Sequence, residues 1–293
     1  MPKDMLLNPQ TALAVKNYLS APSHALLICG PAGAGKAYLA KLISAQLLKV
    51  SPQKVLSHPS VIHLTKPDDK QEIAIDEVRR LIRTLRLKAP GDADVRRVVL
   101  VEDANFLSLP AQNALLKILE EPDLQTVFLL TSPSETYVLP TTASRAQKLI
   151  VHPVSLAQSL KHYDARHSKA SVESSWRLSG GQAGLLDALL ENQSEHPLKK
   201  AVDLAKSWLG QSRYERLLFF DKLASNKIEL AYFIEGLSKV LAALHHSYIA
   251  KGGSKPATAL LHSRKLVDEA GSALDVNVNP KLVGLYLATH LKV

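Results

Sequence analysis

Short apolar runs alternate with stretches of helical period over the first half of the chain. Residues 9–20 set Leu13, Val15, Tyr18 and Leu19 against Lys16 and Asn17, which predicts an amphipathic helix. His24–Cys29 is an unbroken apolar run stopped by glycine, the pattern of a strand buried on both faces. Residues 36–49 return to helical period, Val61–Leu64 reads as a second strand, and Asp76–Leu87 as a helix. Val98–Val101, Val127–Thr131 and Leu149–His152 give three more strands, with a helix at 110–120 between the first two. Strands alternating with helices predict an α/β domain whose parallel sheet is covered on both faces. After Pro153 the strands stop. Residues 155–192 read as short helices around a Ser179-Gly180-Gly181 turn, and 197–293 hold about five helical runs. The longest, 227–250, spaces Leu230, Phe233, Ile234, Leu237, Val240 and Leu241 as a bundle helix does. Three domains are expected, with bounds 1–153, 154–196 and 197–293. No internal repeat, heptad pattern or low-complexity linker appears.

Composition narrows this picture. At 293 residues the chain exceeds one compact domain. Its formal charge of +9 is spread evenly, +4 in 1–153 and +5 in 154–293, which suits either a nucleic-acid or acidic partner or a plain basic surface. A single cysteine, Cys29, excludes disulfides within the chain and cysteine-rich metal sites. The opening MPKDMLLNPQ lacks the pattern of a signal peptide, and no apolar stretch reaches the length of about 18 residues that a membrane span needs. A cytoplasmic protein is expected.

The most explicit chemistry begins after the first strand. Gly30-Pro-Ala-Gly33-Ala-Gly35-Lys36 fits G-x-x-x-x-G-K, the phosphate-cradling loop: glycines let backbone N–H groups face a phosphate, and the lysine reaches the terminal phosphates. The next position normally carries the Ser or Thr hydroxyl that holds magnesium, and here it is Ala37. The loop is therefore expected either to bind ATP or ADP weakly and with little metal, or to be a relic that fills its own space. The strand Val98–Val101 ends in Glu102 and Asp103, acidic groups where P-loop ATPases hold metal and orient water, but in inverted order. A displacement of about 1 Å at such a site costs on the order of a hundredfold in rate.

Asn113-Ala-Leu-Leu-Lys-Ile-Leu-Glu-Glu-Pro122, followed by Leu139-Pro-Thr-Thr-Ala-Ser144-Arg145-Ala146, resembles the bacterial clamp-loader subunits of the AAA+ family, the gamma/tau and delta-prime group. The likeness is strong over about 1–190 and weaker over 200–293. It implies an AAA+ domain, a helical lid and a C-terminal helical collar. It also implies that Arg145 is an arginine finger acting on a neighbouring subunit's nucleotide, and that Thr131 holds the place of the first sensor. From the residues alone, Arg145 reads rather as a surface arginine that closes a helix or pairs with a carboxylate. The family's cysteine after that arginine is Ala146 here, and its four-cysteine zinc module is absent: the segment carries His58 and His63 only, so no structural zinc is expected.

Three departures from the ATPase members stand on separate segments: Ala37, the inverted Glu102–Asp103, and Ala183-Gly184 where the lid's second sensor arginine lies. Together they resemble the delta-prime branch. Val276–Leu287, with its Asn-Pro280-Lys-Leu run, agrees. The implied role is a non-hydrolysing scaffold and finger donor that needs no cofactor. Its implied partners are the delta and gamma/tau subunits and, through the complex, a sliding clamp and primer-template DNA. Polymerase (nucleotidyl transfer) chemistry belongs to other subunits, and no membrane is involved. The other reading is a working AAA+ ATPase using Lys36, Glu102 and Asp103. Arg79, Arg83 and Arg86 share a helix face that the resemblance turns toward DNA; a solvated face paired with Glu72, Asp76 or Glu77 is the alternative.

Overall fold

A computed structural model of the chain describes residues 5–67, 70–87, 95–123, 125–250, 254–276 and 278–291, without the side chains of 250, 254–257 and 275. The chain divides into two compact units, Met1–Val154 and Ser155–Val293.

The first unit runs α1 (Pro9–Ser20), β1 (Ala25–Cys29), α2 (Lys36–Leu48), β2 (Val61–Leu64), α3 (Ile75–Leu85), β3 (Arg97–Val101), α4 (Leu109–Glu120), β4 (Thr126–Ser132), the one-turn α5 (Pro140–Ala143) and β5 (Gln147–Ile150). All pairings are parallel, in the order β2-β3-β4-β1-β5. Alternate residues of each strand feed two cores, as the period of two requires. Leu26, Ile28, Leu100 and Leu129 pack with Val15, Tyr18, Leu39 and Ile43 of α1 and α2. Leu27, Val99, Val101 and Phe128 pack with Val78 and Leu81 of α3 and with Leu115 and Leu119 of α4. All five strands read from the sequence are present, shifted by at most two residues at an end.

Three side chains depart from the sequence reading. Leu13, expected on the apolar side of α1, is 58% exposed, while Thr11 is fully buried. The Thr11 hydroxyl donates to the Ile150 carbonyl (3.3 Å) and accepts from the His152 N–H (2.9 Å), so a polar residue stitches α1 to the end of β5. β3 begins one residue earlier than expected, at Arg97, which is 5% exposed. Its guanidinium donates to the carbonyls of Leu85 (3.0 Å) and Leu87 (2.7 Å), capping the end of α3. A charged side chain is buried there because it satisfies carbonyls that a helix C-terminus leaves free.

The second unit is all-helical: α6 (Leu156–Tyr163), α7 (Lys169–Ser179), α8 (Ala183–Leu190), α9 (Pro197–Leu209), α10 (Arg213–Leu223), α11 (Lys227–Ala250), α12 (Ser254–Asp275) and α13 (Pro280–His290). Gly180 and Gly181 both take positive φ in the turn between α7 and α8. Trp208, Phe219, Phe220 and Phe233 form an aromatic cluster at the centre, with centroids 5.0–6.4 Å apart. Gly236 lets α11 close on α9: a Cβ there would lie 2.6 Å from the Ala201 backbone.

Candidate functional site

The site forms at the C-terminal edge of the sheet, where β1, β3 and β4 end side by side. In an open α/β sheet ligands bind at this edge. The Gly30 N–H donates to the Ser132 carbonyl at 3.2 Å, pinning the start of the phosphate loop to the end of β4. A Cβ on Gly30 would meet Val151 at 3.2 Å. Gly33 (φ 80°) and Gly35 (φ 86°) hold left-handed backbone that other residues adopt at a cost. Gly35 is the N-cap of α2 and offers no side-chain acceptor, so the first-turn N–H groups of α2 are left to an anion. Lys36 is 9% exposed, and its Nζ donates to the Pro31 carbonyl at 3.2 Å inside the same loop. Ala37 is exposed and presents a methyl group where a hydroxyl would meet metal. Backbone and lysine thus fit a phosphate, while the residue after the lysine does not fit a phosphate-bound magnesium.

The two carboxylates face different surroundings. The Glu102 Oε1 lies 3.3 Å from the Nε2 of His63 on β2, and both side chains are partly exposed. Asp103 sits at φ 48°, in left-handed backbone, and its N–H donates to the Thr131 hydroxyl at 2.8 Å. Burial pushes the Asp103 carboxyl above the usual carboxylate range; Lys36 pulls it down and Glu102 pushes it up. Thr131 is 1% exposed, and its oxygen is committed to this bond from Asp103. Among the described residues no group of three or more His, Cys, Asp or Glu is placed to hold a metal ion.

Arg145 follows α5, outside the phosphate-loop cluster. Its guanidinium pairs with Glu120 at the end of α4 (2.8 Å) and donates to the Thr141 carbonyl (3.0 Å); its side chain is 36% exposed. This ion pair is the surface arrangement the residues alone allowed, and it leaves about a third of the side chain facing solvent. Gln112 positions the segment: its Oε1 accepts from the Leu139 N–H (2.8 Å) and its Nε2 donates to the Leu107 carbonyl (3.1 Å). On α3, Arg79 pairs with Asp76 (3.0 Å) and Arg80 with Glu77 (3.2 Å). Arg83 and Arg86 are exposed and enter no ion pair among the described residues. The structure therefore gathers Gly30, Gly33, Gly35, Lys36, Asp103 and Thr131, turns Glu102 aside to His63, and leaves Arg145 and the α3 arginines on separate surfaces.

Sequence reasoning missed His63, Gln112 and Arg97. A lone histidine in a strand becomes a partner for Glu102 only once the register sets His63 beside Leu100 and Leu64 beside Val101, and a single sequence does not carry register.

Residues 11–155 match the family model described as DNA polymerase III, delta subunit. Two curated relatives are delta-prime subunits of DNA polymerase III. The one from Pseudomonas aeruginosa is 38% identical over 42% of this chain and 41% of its own length, and the one from Escherichia coli is 29% identical over 64% and 61%. The chain thus matches about half the length of these relatives. Its fold is similar to that of a DNA polymerase III gamma subunit-related protein from Thermotoga maritima, with TM-score 0.54 and 18% identity over 95% of this chain and 97% of that one. An α/β unit with a five-stranded parallel sheet followed by a helical C-terminal region is therefore the fold that this chain shares with that structure. Among the described residues no helix is long and apolar enough to cross a membrane.

Proposed function

We propose that this chain, whose residues 11–155 match the DNA polymerase III delta subunit model and which is similar to delta-prime subunits, serves in a clamp loader as a delta-prime-type subunit that does not hydrolyse ATP. In this role the phosphate loop is a structural element that takes ATP or ADP weakly at most, and Arg145 acts in trans on the nucleotide of an adjoining ATPase subunit. The observation that carries the reading is the separation of the two carboxylates: Glu102 lies against His63, while Asp103 is half-buried near Lys36. With Ala37 offering no hydroxyl, no acidic pair stands ready to hold a metal and orient water at the same phosphate. Arg145 lies at the surface of the first unit, about a third exposed beside Glu120 and the Thr141 carbonyl, and leaving Glu120 would free it for a neighbouring subunit.

The partners of this reading are the delta and gamma/tau subunits, with a sliding clamp and primed DNA reached through the complex. The helical second unit would form the collar with them, and 154–196 and 197–293 would be its lid and collar portions. Arg83 and Arg86 remain candidates for DNA phosphates, with Arg79 first having to leave Asp76.

The test is ATP turnover by a reconstituted loader, with clamp and primed DNA present, carrying this chain as wild type or as Arg145→Ala. A silent isolated chain together with a complex slowed about tenfold or more, a barrier change of about 1.4 kcal/mol, agrees with the reading. Turnover by the isolated chain that disappears in Lys36→Ala makes it an ATPase instead.

A further inference from the structure

Residues 5–67 contain six lysines and no Asp, Glu or Arg. Of this one-signed segment, the fold places α1, α2 and the 52–57 turn over one face of the sheet. α1 and α2 pack over the same sheet face through Val15, Tyr18, Leu39 and Ile43, and the 3-10 turn Pro52–Ser57 packs against α2. Their outer surfaces therefore point away from the sheet together. Lys16, Lys49 and Lys54 are exposed there and Lys41 is half-exposed. None of the four enters an ion pair among the described residues, whereas Arg79 and Arg80 of α3 are held by acids of their own helix. Tyr38 is 44% exposed and lies three positions before Lys41, so the two are neighbours on α2.

We propose that the outer face of α1, α2 and the 52–57 turn is a binding surface for single-stranded nucleic acid, with the four lysines on phosphates and Tyr38 stacked on an unpaired base. A positive face without internal counter-charge suits a linear polyanion, whose condensed counterions it releases. Lysines, as point charges on flexible stems, follow a backbone of variable geometry better than a fixed fork does. An aromatic among cations is the device by which single strands are held without reading sequence, and a duplex keeps its base faces stacked inside. An acidic protein surface would answer the lysines but leave the tyrosine ring without a role. The surface includes neither the phosphate-loop residues Gly30–Lys36 nor Arg145, though Tyr38 adjoins the loop in the first turn of α2, and it does not depend on the role proposed above.

The experiment is fluorescence anisotropy of a labelled oligothymidylate titrated with the full chain over a range of salt. Four phosphates on a single strand give a log–log salt slope of about −3. The variant Lys16→Glu/Lys41→Glu/Lys49→Glu/Lys54→Glu, checked for an unchanged melting temperature, should bind at least about tenfold more weakly and flatten that slope. If charge reversal disturbs folding, the same four positions changed to Gln should flatten the slope as well. Tyr38→Ala should weaken single-strand binding by about fivefold and leave duplex binding unchanged. The proposal is overturned if the lysine variants bind like wild type, if a duplex binds as tightly and Tyr38→Ala changes nothing, or if polyglutamate competes as well as the oligonucleotide.

Discussion

The phosphate loop and the Arg145 segment belong to the same α/β unit, and they keep opposite things. The loop keeps its shape. Gly33 and Gly35 still take left-handed backbone, and Lys36 still lies within the loop, yet Ala37 has no hydroxyl and Glu102 has turned to His63. The Arg145 segment keeps little regular structure, a single turn of helix in α5, but it keeps its charged tip at the surface. Backbone geometry in the loop is tied to folding, because it joins β1 to α2 and bonds to β4. A surface arginine bears little of the fold. The role in trans proposed above needs only that exposed tip.

That contrast can be broken from either side. The largest effect is expected at Thr131, the polar residue shared by β4 and the acidic turn. Thr131→Val removes the oxygen that accepts the Asp103 N–H, leaving a buried donor unpaired at a cost of about 1–3 kcal/mol. Denaturant unfolding of the chain should show that loss. A Thr131→Val chain as stable as wild type would mean that the acidic turn does not depend on this bond. Next comes Arg145→Ala. An exposed pair such as Arg145–Glu120 contributes about 1 kcal/mol or less to folding, so the melting temperature should barely move. Turnover of the assembled loader should nevertheless fall about tenfold, or about 1.4 kcal/mol of barrier. A drop in stability with no drop in turnover would make the arginine a structural clasp.

Asp103 gives a smaller effect that separates burial from catalysis. Its folded-state carboxyl titrates above the usual carboxylate range because burial disfavours the charge. The folded chain therefore binds the proton more tightly than the unfolded chain. In the window from the ordinary aspartate value up to the raised one, this group makes stability fall as pH rises. Asp103→Asn removes the titration, so the slope of unfolding free energy against pH should flatten in that mildly acidic window. An unchanged slope would place the Asp103 carboxyl in water.

Much of this was legible in the chain itself. β1 to β5 were read from apolar runs because a parallel sheet buried on both faces leaves continuous hydrophobic stretches. The loop glycines and Lys36 were legible because backbone contact with phosphate demands those residue types at that spacing. The Ala37 and Glu102–Asp103 departures could be named as residues, but their consequence could not. It depends on His63 lying one strand away, a fact of register. Arg97 and Thr11 were missed for the opposite reason. Each is a polar residue buried because it bonds carbonyls or an N–H supplied by distant segments, and a pattern of apolar positions counts such residues as surface.

The smallest effect is expected where a single atom is restored. Ala37→Ser returns the hydroxyl that a magnesium ion would use. If the lost hydroxyl were the whole defect, phosphate release by the isolated chain should rise markedly. The geometry points elsewhere: the restored oxygen would still face a site in which Glu102 lies against His63 and Asp103 starts from an environment that favours its neutral form. Turnover is therefore expected to stay within about twofold of wild type, since displacement of a catalytic carboxylate by about 1 Å already costs on the order of a hundredfold. Adding His63→Ala frees Glu102 and tests the point directly. Turnover that appears only in the double variant puts the defect in the carboxylate pair, whereas turnover in Ala37→Ser alone would mean that the loop is one hydroxyl short of an ATPase and that the two regions differ less than their surroundings suggest.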